Sequence, residues 1–312
     1  MTTAQDEREA PARLPMTGYA LGAAGAILFS AKGVIIKLAY AEGIDAETLL
    51  ALRMGLSLPF YIVIGVLAAR GMRARALELP PRGLVLQAMG VGALGYWFSS
   101  YVDFLGLQYI SASFERLILF TYPLFTVLFG ALLFRQPIRP RALLAFLVSY
   151  AGLALIFLQN FSVAGVDVAR GSGFVMMAAM SFALYQLMAR DLIGRIGSSW
   201  LFTCIAMSAA AFASLLQFAA IRPFSALLVS PRLFALSVAI AIGATVLPTF
   251  LMNAALQRIS AQANATIGTV SPVATMVLAV LVLGESVTPA EIAGAVLVMV
   301  SVGWFTLADS RR

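Results

Sequence analysis

Long apolar stretches alternate with short polar connections along the whole chain. A helix needs about twenty apolar residues to cross the hydrocarbon core of a bilayer. Ten stretches approach or exceed this length, at 16–38, 47–69, 84–107, 111–134, 142–160, 171–190, 199–221, 232–255, 261–283 and 290–308. The pattern predicts an all-α membrane protein with ten transmembrane helices.

The composition agrees with this prediction. Hydrophobic residues make up 61% of the 312 residues and charged residues only 11%, whereas a soluble domain is roughly one quarter charged. The polar start, 1–15, precedes an apolar stretch too long for a cleavable signal peptide, so the first stretch should remain as a membrane helix.

The basic residues predict the orientation of the chain. Most Lys and Arg residues outside the apolar stretches lie in alternate loops, and only Arg170, Arg222 and Arg232 lie in the others. Basic loops stay in the cytoplasm, which predicts a multi-pass protein of the plasma (inner) membrane with both termini cytoplasmic. The net charge of +7 forms no basic stripe with interleaved aromatics, so no nucleic-acid partner is expected.

The two halves of the chain are related by an internal repeat. Residues 107–123 (LQYISASFERLILFTYP) and 256–272 (LQRISAQANATIGTVSP) align at an offset of 149 residues. The same offset pairs, without a gap, Gln108 with Gln257, Ser111 with Ser260, Pro123 with Pro272, Thr126 with Thr275 and Pro140 with Pro289. Five spans therefore match five, and an odd number of spans inverts the second half, as in many secondary transporters.

These boundaries predict the domain organisation. A cytoplasmic segment at 1–15 precedes the first five-helix repeat at 16–160. A linker at 161–170, the second, inverted repeat at 171–308 and a cytoplasmic end at 309–312 complete the chain. The fold is thus an inverted 5+5 repeat, a common design of secondary transporters with the binding site near the membrane midplane.

Several segments resemble the EamA-type members of the drug/metabolite transporter superfamily. The resemblance covers essentially the whole chain, from Lys37–Arg53 to the segment ALQRISAQANATIGTVSPVATMVLAVLVLGESVTPAEIAGAVLVMVSVG, and is most specific in Pro272–Glu285. It implies ten helices, a central cavity and export of amino acids or other metabolites. The segment ERLILFTYPLF is similar to the aromatic amino acid exporters of this group.

The chain departs from the family pattern at one position. The family's Gly-Glu pair is present as Gly284-Glu285, but its counterpart in the first half is Arg135-Gln136. We therefore expect this acid to make a structural contact at a helix end rather than to take part in transport.

Five charged residues lie inside predicted spans of the first half. The repeat counterparts of Asp103, Glu115 and Arg116 in the second half are uncharged. A charge at the centre of a membrane helix costs about 2.5–3.5 kcal/mol on insertion scales, so such residues should face a cavity or a partner. They are Lys32, Arg53, Asp103, Glu115 and Arg116. Lys32 is either a structural partner of Asp103 or Glu115, or an anchor for a substrate carboxylate. The other four either snorkel to the interface, form structural ion pairs or bind substrate.

Uncharged residues complete the candidate substrate site. In the third span, Tyr96, Ser100 and Asp103 share a helical face beside Trp97, and the two aromatics form either a stacking wall for substrate or part of an interfacial belt. The polar candidates of the second half, which interhelical hydrogen bonding explains equally well, are Tyr185, Asn253 and Asn264. Pro123 and Pro272 should kink equivalent helices, and we predict a gating role for both.

The function that these features favour is secondary transport. The chain is expected to export small metabolites by alternating access, most simply aromatic or large apolar amino acids; other metabolites or lipophilic cationic drugs are the alternative. A membrane-embedded enzyme and a non-transporting scaffold are the rival classes. The chain has no His, one Cys (Cys204) and no GxxxxGK[ST] loop, so no metal, cofactor or ATP is expected. The expected partners are a small-molecule substrate and membrane lipid, with the chain acting as a monomer.

Overall fold

The computed structural model describes residues 16–135, 140–256 and 270–310, and these residues are helical with short connections. The first half contains α1 (Met16–Ala41), α2 (Ala46–Ala74), α3 (Arg82–Gly92, Ala93–Phe98 and Ser99–Gly106), α4 (Ala112–Leu119 and Tyr122–Phe134) and α5 (Pro140–Ala164). The second half contains α6 (Val166–Ile196), α7 (Ser199–Ile221), α8 (Pro231–Val238, Ala239–Val246 and Leu247–Leu256), α9 (Val270–Leu278 and Ala279–Leu283) and α10 (Pro289–Ser310).

Seven helices in the described residues are long and apolar enough to cross a membrane. They are Met16–Ala41, Ala46–Ala74, Ala112–Leu133, Leu143–Phe161, Val166–Ile196, Ser199–Ile221 and Pro231–Met252. Two shorter apolar helices, Ser271–Leu283 and Pro289–Trp304, follow. The structure therefore establishes a helical protein with several membrane-spanning helices, while the full number of ten spans stays a prediction.

Within the described ranges, three helices contain π-helical segments, at Ala93–Phe98 in α3, Ala239–Val246 in α8 and Ala279–Leu283 in α9. The offset of 149 residues aligns the π-helical segment of α3 in sequence with that of α8. A π-helical turn holds more residues than an α-helical turn, so side chains beyond it point in directions that a uniform helix would not give them.

The predicted kink at Pro123 is an interruption of α4. The helix stops at Leu119 and restarts at Tyr122, with Phe120 and Thr121 between the two segments. Pro123 lies in the first turn of the second segment, where its missing N–H would have had no helical partner. Its counterpart Pro272 lies close to the first described residue of α9.

The helices of the two halves pack against each other in a reciprocal pattern. α1 contacts α8 and α9, while its repeat counterpart α6 contacts α3 and α4. α2 packs on α7 and α5 packs on α10. The crossing of α5 and α10 is close because Gly152 and Gly294 each lie against the other helix's backbone, as small residues allow in membranes. Each half is thus stabilised chiefly by the other.

Candidate functional site

Four of the five charges predicted inside the membrane converge on one place between α1, α3 and α4. Lys32, Asp103, Glu115 and Arg116 form this charged cluster, and none of the four is more than 6% exposed. Gly33 permits the close approach of α1 and α4, because a Cβ at this position would lie 3.2 Å from Glu115 Oε2. The cluster is closed to solvent in this conformation.

Lys32 is paired with Asp103. Its Nζ donates to Asp103 Oδ2 at 2.7 Å, which joins α1 to α3. Of the interpretations that the sequence left open, the structure contains the ion pair with Asp103. The other carboxylate oxygen, Asp103 Oδ1, is buried and accepts no hydrogen bond from the described residues.

Glu115 and Arg116 are bonded much more weakly. Arg116 Nη2 donates to the Phe29 carbonyl at 3.1 Å, but its Nε lies 4.0 Å from Glu115 Oε2, which is too long for a hydrogen bond. Both Glu115 oxygens and Arg116 Nε are buried without a partner in the described residues. Buried polar groups normally find partners, so this side of the cluster has unused capacity for hydrogen bonds.

Arg53 of α2 lies apart from these pairs and is 3% exposed. Its Nε donates to Thr245 Oγ1 at 2.9 Å and its Nη1 to Ser100 Oγ at 3.1 Å. The guanidinium also lies 5.5 Å from the centre of the Phe104 ring. No ion pair joins it to an acidic side chain that the structure describes. Arg53 is therefore a buried cation held by hydroxyl groups and an aromatic face.

The aromatic candidates of α3 contact different helices. Tyr96 packs edge-on against Tyr185 of α6, with ring centres 4.9 Å apart, and accepts a hydrogen bond from its hydroxyl at 3.2 Å. Trp97 instead donates to Gln217 of α7 at 2.6 Å. Both lie within the π-helical segment, and consecutive residues of a helix do not share a face, so the two rings reach different helices. Gly95 is required because a Cβ there would overlap the Tyr185 ring.

Two residues of this region were not singled out by the sequence. Thr245 contacts Arg53, and the repeat offset of 149 pairs it with Tyr96, a signal that could have identified it. Tyr61 of α2 is 1% exposed and its hydroxyl has no partner in the described residues. Its ring centre lies 6.3 Å from that of Phe250. No sequence signal distinguishes Tyr61 from an ordinary apolar-face tyrosine.

The remaining second-half candidates are only partly visible. The side chain of Asn253 and the whole of Asn264 lie outside what the structure describes. Beside Pro272, Ser271 accepts a hydrogen bond from Ser30 Oγ at 2.9 Å, and Thr275 Oγ1 donates to the Ser30 carbonyl at 3.0 Å. α9 is thus hydrogen-bonded to α1 beside the charged cluster.

The expected helix-end contact of Glu285 is present. Its carboxylate accepts hydrogen bonds from Ala112 N at 2.8 Å, Ser113 N at 3.4 Å and Ser113 Oγ at 2.8 Å. We call these contacts the Glu285 cap, because they satisfy N–H groups at the start of α4. A cavity of about 10 Å³, room for one water-sized sphere, lies beside it.

Ion pairs join the α1–α2 loop to the second half. Arg222 lies 3.2 Å from Glu47 and 3.5 Å from Asp45, and Arg232 lies 3.0 Å from Glu42. Partial burial of Asp45 raises its pKa, but hydrogen bonds, chiefly from the Thr48 N–H, outweigh this and leave the pKa of Asp45 below its usual value. Hydrogen bonding to Glu47 raises the pKa of Arg222. Both groups are therefore charged at neutral pH.

Comparisons with known proteins agree with the two-part organisation. The EamA-like transporter family model matches residues 16–158 and again 169–307. The uncharacterized transporter YcbK of Bacillus subtilis (strain 168) is 28% identical over 283 residues, 86% of each chain. The uncharacterized transporter YcxC of the same strain is 32% identical over 219 residues, 66% of this chain and 67% of the relative.

A solved crystal structure has a similar fold. It superposes with a TM-score of 0.62 over 95% of this chain and 98% of its own, at 19% sequence identity. At this identity the likeness concerns the fold alone.

Proposed function

The chain belongs to the EamA-like transporter family, and from this membership we propose that it exports zwitterionic amino acids with aromatic or large apolar side chains by alternating access. Transport in this family needs no covalent chemistry from the chain. The buried groups select the substrate, and the position of the charge without an ion-pair partner decides which substrate they accept.

The observation that carries the proposal is the isolation of Arg53. Lys32 is compensated by Asp103 at 2.7 Å, and Arg116 has Glu115 as a neighbour at 4.0 Å. Arg53 has only the hydroxyls of Thr245 and Ser100 and the Phe104 ring. A buried guanidinium in a membrane protein is costly without a counter-charge, and its planar fork suits a carboxylate. Arg53 is accordingly the proposed carboxylate anchor, in place of Lys32.

The same region offers an acceptor for the substrate ammonium. Ser100, which contacts Arg53, lies one helical turn before Asp103 on α3, and residues at this spacing are neighbours. Asp103 Oδ1 is buried without a donor in the described residues. The Arg53 guanidinium, which contacts Ser100, would bind the carboxylate of an amino acid. The Asp103 carboxylate, one turn beyond Ser100, would accept from the ammonium on the same carbon.

Aromatic side chains around Arg53 support an apolar substrate side chain. Phe104 lies under the guanidinium, and Tyr96 and Tyr61 lie on the neighbouring faces of α3 and α2. Exporters of lipophilic cations are the second candidate, because the unpartnered carboxylate oxygens of Glu115 would also attract a cation. The two candidate substrates differ in whether they carry a carboxylate for Arg53, and a transport experiment can separate them.

The test is counterflow in proteoliposomes with labelled phenylalanine, threonine and a quaternary ammonium cation. Wild type is compared with Arg53→Met, Lys32→Ala and Arg170→Met, the last a matched control whose arginine is exposed. Loss of a charge-assisted contact should lower phenylalanine exchange in Arg53→Met by about ten- to a hundredfold, with Arg170→Met unchanged. If the cation exchanges faster than phenylalanine and Arg53→Met is silent, the amino acid proposal is wrong.

A further inference from the structure

Glu285 connects the two halves of the transporter at one end of the bundle. It follows Gly284, whose φ of +67° ends α9 in a left-handed turn. From this position in the second half, the carboxylate reaches the backbone and hydroxyl of Ala112 and Ser113 in the first half. The charge count of the loops predicts that this end faces outward.

The segment that Glu285 caps carries part of the charged cluster. Ala112–Leu119 is an eight-residue helix that ends at the interruption of α4. Its Phe114 N–H is capped internally by Ser111 Oγ at 3.1 Å, and the Glu285 cap satisfies the N–H groups of Ala112 and Ser113. Glu115 and Arg116 lie on this segment. Movement of the capped end therefore moves two members of the charged cluster.

We infer that Glu285 is a positioning residue whose cap holds this end of the two halves closed and so sets the balance between the access states. Alternating access requires the halves to separate first at one end and then at the other. A hydrogen-bonded contact between the halves is lost when its own end opens, so it stabilises only the states in which that end is closed. The inference rests on the transporter assignment and not on the proposed substrate.

The negative charge of Glu285 strengthens its contact with the start of α4. The carboxylate faces the N-terminus of a helix, where both the partial charge and the free N–H groups favour an anion. The repeat offset places Gln136 at the matching position of the first half, and an amide lacks this charge. Glu285→Gln thus keeps the shape of the side chain and replaces it by the residue that the chain itself carries at the equivalent site.

The experiment measures the opening of this end directly. Ala112→Cys in a Cys204→Ser background places a thiol where a fully buried methyl group lies against Gly33 of α1. The purified protein is reconstituted in nanodiscs, which expose both faces, and its reaction with a charged methanethiosulfonate reagent is timed. Glu285→Gln should label about tenfold faster than the parent, since it loses the charge-assisted share of the contact.

Two further variants separate gating from general loss of structure. Ser113→Ala removes one hydrogen-bond donor to Glu285, so its Ala112→Cys thiol should be labelled about threefold faster. This variant tests the inference if Glu285→Gln does not fold. Glu291→Gln is the nearby comparison: Glu291 borders the same cavity, but its short hydrogen bond is from Thr288 N of its own connection at 2.8 Å, and Asn160 Nδ2 of the first half lies at 3.5 Å. Its labelling rate should rise much less than that of Glu285→Gln.

The inference is overturned by labelling rates that do not change in Glu285→Gln and Ser113→Ala, or that rise equally in Glu291→Gln. Thermal unfolding midpoints, measured on the same samples, should not track the labelling rates across the three variants. The labelling needs no substrate. Its result therefore stands whether or not counterflow supports amino acid export.

Discussion

Lys32 of α1 and Asp103 of α3 form an ion pair of 2.7 Å inside the helix bundle, with side chains 7% and 2% exposed. This contact joins two helices of the first half next to the candidate substrate site. It also changes the assignment of the anchor. Lys32 Nζ donates to Asp103 Oδ2, whereas no ion pair joins Arg53 to a described acid, so the buried positive charge without an ion-pair partner lies on Arg53.

The Lys32–Asp103 pair should behave as a structural pair. Removing one partner of a buried ion pair leaves the other charge unpaired and costs about 3–5 kcal/mol. Lys32→Ala should therefore lower the stability of the protein by roughly this amount, while Lys32→Met/Asp103→Leu recovers most of it. Thermal unfolding in detergent measures the stabilities of the wild type and the variants, which together form a double-mutant cycle. Additive losses in the double variant would show that the two side chains are not coupled.

Arg53 should show the opposite combination of effects. Because no described acid forms an ion pair with it, Arg53→Met should leave the unfolding midpoint unchanged or raise it, as replacement of a buried charge by an apolar side chain can do. Counterflow of phenylalanine should fall at least tenfold in the same protein. A variant that loses stability and transport together would point to a structural role for Arg53.

Gly95 should tolerate no side chain, in contrast to Gly90 of the same helix. A Cβ at Gly95 would overlap the Tyr185 ring, whereas a Cβ at Gly90 would meet nothing within 4 Å. Gly95→Ala should separate α3 from α6 and cost about 1–3 kcal/mol. Gly90→Ala should stabilise the helix by about 0.5–1 kcal/mol. The unfolding midpoint should therefore fall in Gly95→Ala, because of steric overlap, and rise in Gly90→Ala, because of helix propensity.

The orientation predicted from the basic loops can be tested by single cysteines in a Cys204→Ser background. Leu77 is 50% exposed in the α2–α3 loop, and Leu228 is 87% exposed in the α7–α8 loop. We expect an impermeant thiol reagent to label Leu228→Cys in intact cells. Leu77→Cys should react only after the cytoplasmic side is opened, and so should Ile138→Cys, whose position lies outside the described residues. The reverse pattern would invert the topology.

Pro123 and Pro272 should affect the rate of transport more than the binding of substrate. Pro123 follows the interruption of α4, and alanine in its place would allow the two segments to join into one helix. A joined helix would favour one access state, so Pro123→Ala and Pro272→Ala should each slow counterflow several-fold at unchanged apparent affinity. Unchanged rates in both variants would reduce the two prolines to packing residues.

The sequence by itself determined the features that depend on local composition. Apolar length predicted membrane helices because the thickness of the bilayer acts on each stretch independently. The constant offset of 149 residues related the halves before any contact was known. The family model matches the chain twice, at residues 16–158 and 169–307. The cost of a charge in hydrocarbon identified Lys32, Arg53, Asp103, Glu115 and Arg116 as residues that need partners, and four of them meet in one cluster.

Only the tertiary structure decided which partners these residues have. Lys32 is bonded to Asp103 and not to Glu115, and Arg53 is held by Thr245 of the other half. Tyr96 of α3 contacts Tyr185 of α6, whereas its neighbour Trp97 is bonded to Gln217 of α7. Such outcomes depend on how helices far apart in sequence cross and rotate against each other, because a hydrogen bond is made or lost within an ångström. Hydrophobic patterning fixes which face is buried, but not its rotation to that accuracy.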